Sequence, residues 1–329
     1  MKMINPVLVE VIRGKVVESR HRGAYAVVGK AGEVIASAGD IASPVYPRSA
    51  IKALQALPLV ESGAVEHYNL QDAEIALACS SHNGEQGHVE GARSILAKAG
   101  GDESELACGS QWPDDNHQLL LSGQQPGDIH NNCSGKHSGM LAFAHHMGFA
   151  AADYWKIDHP VQKAVAKAIS EICDYDLGSA DWCFDGCSLP NWTLPLQNLS
   201  LGFSRFASGE TLSAERKAAA DKIIAAVRAH PFMVAGSKRF CTRLMQDVPR
   251  AFVKVGAEGV YCACIPHAGI GIALKCDDGE RRAAEPLMAA VLANLDVWSA
   301  DEHKKLTDLT SKKISNRRNI ETGKIHATI

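Results

Sequence analysis

Ser49 and Lys52 are the first residues along the chain whose types and spacing could do chemistry. They stand in Pro47-Arg48-Ser49-Ala50-Ile51-Lys52, where Ser43-Pro44 and Pro47 break the preceding segment. Ile51, Leu54, Leu57 and Val60 then recur at helical spacing. A proline in the first turn suits a helix start, because its missing N–H would have had no partner there. Ser49 and Lys52, three residues apart, would share one face. An amine that close takes the hydroxyl proton if burial or a second cation keeps it neutral. First-turn N–H groups would also steady a negative oxygen beside Ser49. Read by itself, the tetrapeptide fits a helix cap and a solvated lysine better.

Three further stretches carry chemistry-bearing residues. Cys79-Ser80-Ser81-His82-Asn83-Gly84-Glu85 reads as a polar loop after a strand built on Ile75, Leu77 and Cys79, a common setting for active-site groups. Ser and Asn there serve equally well as caps for a following helix, and adjacent Ser81 and His82 are poorly placed to form a triad. Lys254-Val255-Gly256-Ala257-Glu258-Gly259 ends a strand with a lysine and leads to a turn. It resembles the K-T-G element that faces S-x-x-K in β-lactamase-like enzymes, with Val255 in place of the hydroxyl residue. The plain alternative is a hairpin with an exposed lysine. Cys133, Lys136 and His137 share one face of an expected helix, and Asp185-Gly186-Cys187-Ser188 supplies a second cysteine. Two thiolates, a nitrogen and a water would satisfy tetrahedral zinc. Spacing alone selects His137 as the nitrogen, although free cysteines are usually small buried residues.

The elements that must hold these groups follow from pattern. Val7–Ile12, Val16-Val17, Ala24–Val28 and Val34–Ala38 read as strands, with turns at Arg13-Gly14 and Gly29-Lys30-Ala31-Gly32. Helices are expected over residues 85–99, 133–147, 194–206, 213–229 and 283–298, and another is started by Asp158-His159-Pro160 with Val161, Val165, Ile169 and Ile172 on one stripe. Strands return at 251–255, 260–265 and 270–276, and a last strand-like segment runs from Ile314 to His326. Strands at both ends and helices between them predict an α/β (α+β) fold. Its mostly antiparallel sheet would come from the N- and C-terminal strands, with a helical lobe inserted. One catalytic domain over 1–329 is expected, the sheet lobe taking about 1–46 and 232–329 and the helical lobe about 47–231.

Composition narrows the function classes. The 329 residues are 46% hydrophobic and 22% charged, ordinary for a globular enzyme-sized chain. A net charge of −3 gives no reason to expect nucleic acid or an anionic membrane as partner. Lys312, Lys313, Arg317 and Arg318 form a small basic group, read as a solvated strand edge. Neither a secretion signal at Met1-Lys2-Met3-Ile4 nor an apolar run of bilayer length is present. The ten scattered cysteines are therefore expected to be reduced and the chain cytoplasmic.

Taken together, P-R-S-A-I-K, C-S-S-H-N-G-E, N-C-S-G-K-H-S-G-M, D-G-C-S-L-P and K-V-G-A-E-G-V occur in this order over nearly the whole chain. They resemble the rhizobial-type (class 3) L-asparaginases, the bacterial asparaginase II family. That resemblance implies a serine β-lactamase/glutaminase-like fold, a homodimer, and hydrolysis of L-asparagine to aspartate and ammonia. It implies two Ser-Lys tandems, Ser49/Lys52 and Ser81/Lys254, and zinc ligands Cys133, Lys136 and Cys187. His137 then moves from ligand to second shell or substrate contact. Asp185 matches a carboxylate beside the metal loop, and Arg48 suits the substrate α-carboxylate. Three other readings stand beside it. They are a glutaminase or other small-amide hydrolase on the same scaffold, a zinc-hydroxide hydrolase, and a non-catalytic binding protein. A penicillin-binding enzyme is disfavoured without an export signal.

Overall fold

The computed structural model describes residues 4–113 and 117–329; Met1-Lys2-Met3, the start of the N-terminal stretch discussed above, lies outside the described residues. The strands form an antiparallel sheet whose members come from the two ends of the sequence. Its order is Ser311–Ser315, Glu321–Ala327, Val7–Arg13, Val16–Val28, Ile270–Cys276, Val260–Ile265 and Phe252–Val255. Val34–Ala38 also pairs with Val16–Val28. The long Val16–Val28 strand holds the two halves together. Its first part pairs with Val7–Arg13 and its second, from Gly23, with Ile270–Cys276. A Cβ on Gly23 would lie 2.4 Å from the Lys275 carbonyl oxygen, so the crossing point needs a residue without one.

The expected strands at both ends of the chain are present, as are most of the helices between them. The exceptions have local causes. Ile75, Leu77 and Cys79 belong to no strand: Asp72–Ala78 is a helix. A box of Gln71 and Glu74 caps it, with the Gln71 N–H donating to Glu74 Oε2 at 2.6 Å. A short apolar run buried on all sides carries no usable period, which is why alternation misled. The segment from Ile314 to His326 is two strands, Ser311–Ser315 and Glu321–Ala327, joined by a turn at Asn316 and Asn319. The helix expected over 283–298 ends at Ala293, and a further helix, Ala300–Leu309, starts from a Ser299/Glu302 capping box.

Close approach of helices and sheet is bought with small residues. The Leu196–Ser208 helix lies so near Ile270–Cys276 that a Cβ on Gly271 would meet Ser200 O and Ser204 N at 2.1 Å. Ser200 Oγ then donates to Ala26 O (3.0 Å) and Gly271 O (2.8 Å), while Ser204 Oγ serves Gly29 O and Gly269 O. The Ser134–Met147 helix is buried along its first eleven residues, as expected of a helix enclosed by others. Gly148, at φ 70°, ends it in the left-handed cap that glycine favours. Gly135 and Gly139 let it touch the Asp72–Ala78 helix, where Cβ atoms would fall 2.5 Å from Leu77 O and 2.9 Å from Ala78 Cβ. Among the described residues no helix is long and apolar enough to cross a membrane.

Because backbone atoms cannot yield as a side chain can, Gly135→Val should cost at least about 1–3 kcal/mol. Chemical denaturation checks this: a midpoint unchanged from the parent would show that the two helices have room to part.

Candidate active site

Ser49 lies in a turn that the sequence makes unusual. Pro47 precedes a 3-10 turn over Arg48–Ile51, followed by the short helices Lys52–Gln55 and Leu57–Glu61. Pro58, lacking an N–H, divides what the spacing predicted as one helix. Arg48 sits at φ 51°, a left-handed conformation rare outside glycine and worth about 1–3 kcal/mol of strain. Its guanidinium is tied down: Nε and Nη2 both donate to Asp185 Oδ1, at 3.0 and 2.7 Å. The turn also abuts the end of Phe252–Val255, since a Cβ on Gly256 would lie 2.9 Å from Pro47 O and 3.2 Å from Ala50 N. That contact brings the Lys254 strand beside Ser49.

Two buried amines meet on one hydroxyl. Lys52 Nζ donates to Ser80 O and interacts with Ser81 Oγ (2.9 Å) and Cys133 Sγ (3.1 Å). Lys254 Nζ reaches the same Ser81 Oγ (3.0 Å) and donates to Val255 O (2.7 Å). The two lysines are 1% and 0% exposed, so neither charge reaches solvent. Burial lowers the pKa of both, that of Lys254 to about 7, with Lys52 as the next cause. Two ammonium groups on one buried oxygen would repel strongly. Ser81 thus joins a pair that favours one charge over two. Among the described residues no hydrogen bond joins Ser49 Oγ to Lys52.

The sulfur side of the site is equally buried. Cys133 caps the Ser134–Met147 helix, and Lys136, one turn on, holds Cys187 Sγ at 3.0 Å. The Cys133–Cys187 hydrogen bond pushes Cys133 up to about 12 and holds Cys187 well below its usual range. Burial opposes the charge of Lys136, yet the thiolate character of Cys187 keeps its pKa raised. Cys133, Lys136 and Cys187 therefore form a compact set of two sulfurs and one nitrogen. Cys133 Sγ donates to Asn132 Oδ1 at 3.0 Å and Lys136 Nζ donates to Cys187 Sγ. Two cysteine sulfurs are zinc-type donors once deprotonated, and Lys136 would have to release its proton to be the third. Among the described residues no group of three or more His, Cys, Asp or Glu is placed to hold a metal, and this set contains only two residues of those types.

The remaining groups orient these. The Gly84 N–H donates to His82 Nδ1 (3.0 Å), which leaves the proton on Nε2 to donate to Ser134 Oγ (3.0 Å). His82 in turn stacks on His88, and His88 on Phe232. Burial, then neighbouring His88, holds the His82 pKa well below 6.5, so it is neutral. His137 is fully buried, with Nδ1 on the Tyr154 hydroxyl and, among the described residues, no hydrogen-bond partner for Nε2. Burial takes its pKa to about 3. Asp185 is lowered despite burial, chiefly by the Arg48 hydrogen bond.

Of the residues singled out in sequence, Lys52, Ser81, Lys254 and Cys133 form one hydrogen-bonded cluster, with Lys136 and Cys187 adjoining through the two sulfurs. Arg48 and Asp185 bind each other rather than standing open. Tyr154 and Asn131 were missed. The Asn131 side chain accepts from Cys133 N (2.8 Å) and donates to Cys108 O and Gly109 O. The Asn131-Asn132 pair before Cys133 was the available signal; nothing nearby marked Tyr154.

Residues 9–327 match the family described as L-asparaginase II. No curated protein matches the chain in sequence. Similar solved structures include a β-lactamase from Mycobacterium bovis, 18% identical over 88% of this chain and 95% of that one, TM-score 0.43. Another is the D-alanine carboxypeptidase AmpC from Burkholderia cenocepacia, 16% identical over 83% and 93%, TM-score 0.41. A third, Mglu in its native form, is 14% identical over 84% of this chain and 64% of its own, TM-score 0.44. This chain therefore spans slightly under two thirds of Mglu.

The perturbed lysine makes a pH-dependent prediction. Below pH 7 the Lys254 amine is charged in both states, and the fold bears the whole cost of burying it. From pH 7 to about 10.4 only the unfolded chain stays protonated, so wild-type stability rises with pH. Lys254→Met lacks this group. Its stability relative to wild type should therefore fall across that window, by at most about 1.4 kcal/mol per pH unit. Urea melts at several pH values measure this, and a pH-independent difference would contradict the assignment.

Proposed function

The chain belongs to the L-asparaginase II family, an amidohydrolase family, and on that footing we propose that it hydrolyses L-asparagine to L-aspartate and ammonia by serine–lysine nucleophilic catalysis. The observation that carries this reading is the Ser81 hydroxyl held between the Lys52 and Lys254 amines, beside the Ser49 turn. Such a bridge moves protons between two bases without a free histidine.

Ser49 attacks the side-chain amide carbon, and its proton passes to Lys52. The tetrahedral oxygen is met by first-turn N–H groups around Ser49. The C–N bond then breaks as the nitrogen takes a proton through Ser81, releasing ammonia and leaving a β-aspartyl ester on Ser49. Water, deprotonated by the same amine, attacks the ester and frees aspartate. In its charged form Lys254 would supply the neighbouring positive charge that helps keep Lys52 neutral; burial and Lys52 itself lower the Lys254 pKa to about 7, so it carries that charge chiefly below pH 7. Arg48 would take the substrate α-carboxylate by exchanging it for Asp185, with Asp185 and His137 as the other substrate-side groups.

Cys133, Lys136 and Cys187 would hold a zinc ion, which when bound fixes charge and orientation near the substrate; with two thiolates it is poorly suited to making hydroxide. A homodimer in the cytoplasm completes this reading. A second reading makes Ser81 the nucleophile, because Ser81 and not Ser49 bonds both amines.

Ammonia release from L-asparagine and L-glutamine, by wild type, Ser49→Ala and Ser81→Ala, tests these assignments. Activity on asparagine should fall at least about 1,000-fold in Ser49→Ala, the scale of losing a nucleophile. Mass spectrometry of acid-quenched protein should place the acyl adduct on the Ser49 peptide; an adduct on Ser81 would select the second reading. Equal release from glutamine would widen the substrate class, and release from neither would remove the activity. Separately, apoprotein dialysed against zinc should retain equimolar metal, and Cys187→Ala should lose it. Metal retention unchanged in that variant would reject the ligand set.

A further inference from the structure

Away from the buried lysines, a cleft of about 660 Å³ opens between the Phe240–Asp247 helix, the start of the Arg281–Ala293 helix and the edge strand Ser311–Ser315. Arg239, Arg243, Arg281, Arg282, Lys312 and Lys313 line it together with Lys238, against only two carboxylates, Glu285 and Asp308. Its volume falls within the range of small-molecule sites. Three of the cations, Lys238, Arg281 and Lys312, have no ion pair among the described residues. Arg243 and Arg282 are weakly matched, to Asp247 at 3.5 Å and to Glu280 at 3.9 Å, while Lys313 pairs closely with Glu321 at 2.8 Å.

Helix polarity adds to this field. The Phe240–Asp247 and Arg281–Ala293 helices both begin at the cleft, and neither has an acidic residue in its first turn. Arg281 and Arg282 occupy the first two positions of theirs, where the macrodipole already presents positive charge. Cations there cost stability unless an anion offsets them. N–H groups at helix starts are themselves anion ligands. Burial raises the pKa of Glu285 against the pull of Lys312, Arg281 and Arg239. Phe240 supplies an apolar wall.

We propose that this cleft binds a small polyphosphate-bearing anion of the nucleoside polyphosphate class, its phosphates held by the arginines and lysines and the two helix starts. Guanidinium forks suit phosphate oxygens in pairs. A bounded cleft in a chain of net charge −3 favours a compact ligand over a nucleic acid, which would need a continuing basic track. Arg239 also donates to Asn83 Oδ1 (2.7 Å), so the cleft borders the loop that carries Ser81. The inference does not depend on the asparaginase reading, because it is read from binding alone.

Fluorescence anisotropy of N-methylanthraniloyl-ATP with the full chain, in low salt, tests it. Unlabelled ATP and inorganic triphosphate should displace the probe in a saturable manner, and adenosine should not. Arg281→Gln combined with Arg282→Gln, and separately Lys312→Gln with Lys313→Gln, should each weaken binding at least tenfold with melting temperature retained. Lys167→Gln, on the exposed face of a distant helix, should change nothing. Absent saturation, equal affinity in both cleft variants, or equally good displacement by adenosine would overturn the proposal. Displacement by a short DNA duplex at lower concentration than ATP would overturn the ligand class.

Discussion

Two lysine amines sunk beside one serine hydroxyl set the terms for the rest of the structure. An ammonium taken out of water loses solvation worth several kcal/mol, and a second beside it adds repulsion. The fold meets that cost with hydrogen bonds: Ser80 O, Ser81 Oγ and Val255 O are all engaged by the two amines. What remains unpaid appears as lowered pKa values, and the same burial that is costly for stability makes an amine able to accept a proton.

Bringing these amines together needs backbones closer than ordinary side chains permit. Lys254 comes from Phe252–Val255, the strand at one edge of the sheet, and Lys52 from the helical segment. Gly256 is what allows the strand end and the Ser49 turn to touch. Gly135 does the same for the helix that presents Cys133 and Lys136, pressing it onto the helix that leads to Ser81. The glycines thus fix distances that no polar contact could impose alone.

The charge pattern has two separate positive regions with different physics. Around Ser81 the cations are dry, and thiol groups and carbonyls surround them, so their protonation is labile. In the cleft bordered by Arg239 and Arg281 the cations are largely exposed, with helix starts reinforcing them. The first suits proton transfer and the second suits holding an anion.

Much of this was legible in the amino-acid order. Alternating valines and Gly-containing turns marked the strands at both ends, and capped, periodic runs marked most helices, because those signals are local. Ser49, Lys52, Ser81 and Lys254 stood out by type and by motif order. The sequence could not show that Asp72–Ala78 is helical, since its apolar run Ile75-Ala76-Leu77-Ala78 is buried throughout and has no polar face to reveal its period. Nor could it show that Lys52 turns to Ser81, that Arg48 pairs with Asp185 across 137 positions, or that Lys136 reaches Cys187. Those facts depend on distances between segments far apart in the chain. Only tertiary packing sets such distances, because burial and close approach are properties of the folded interior rather than of any stretch of residues.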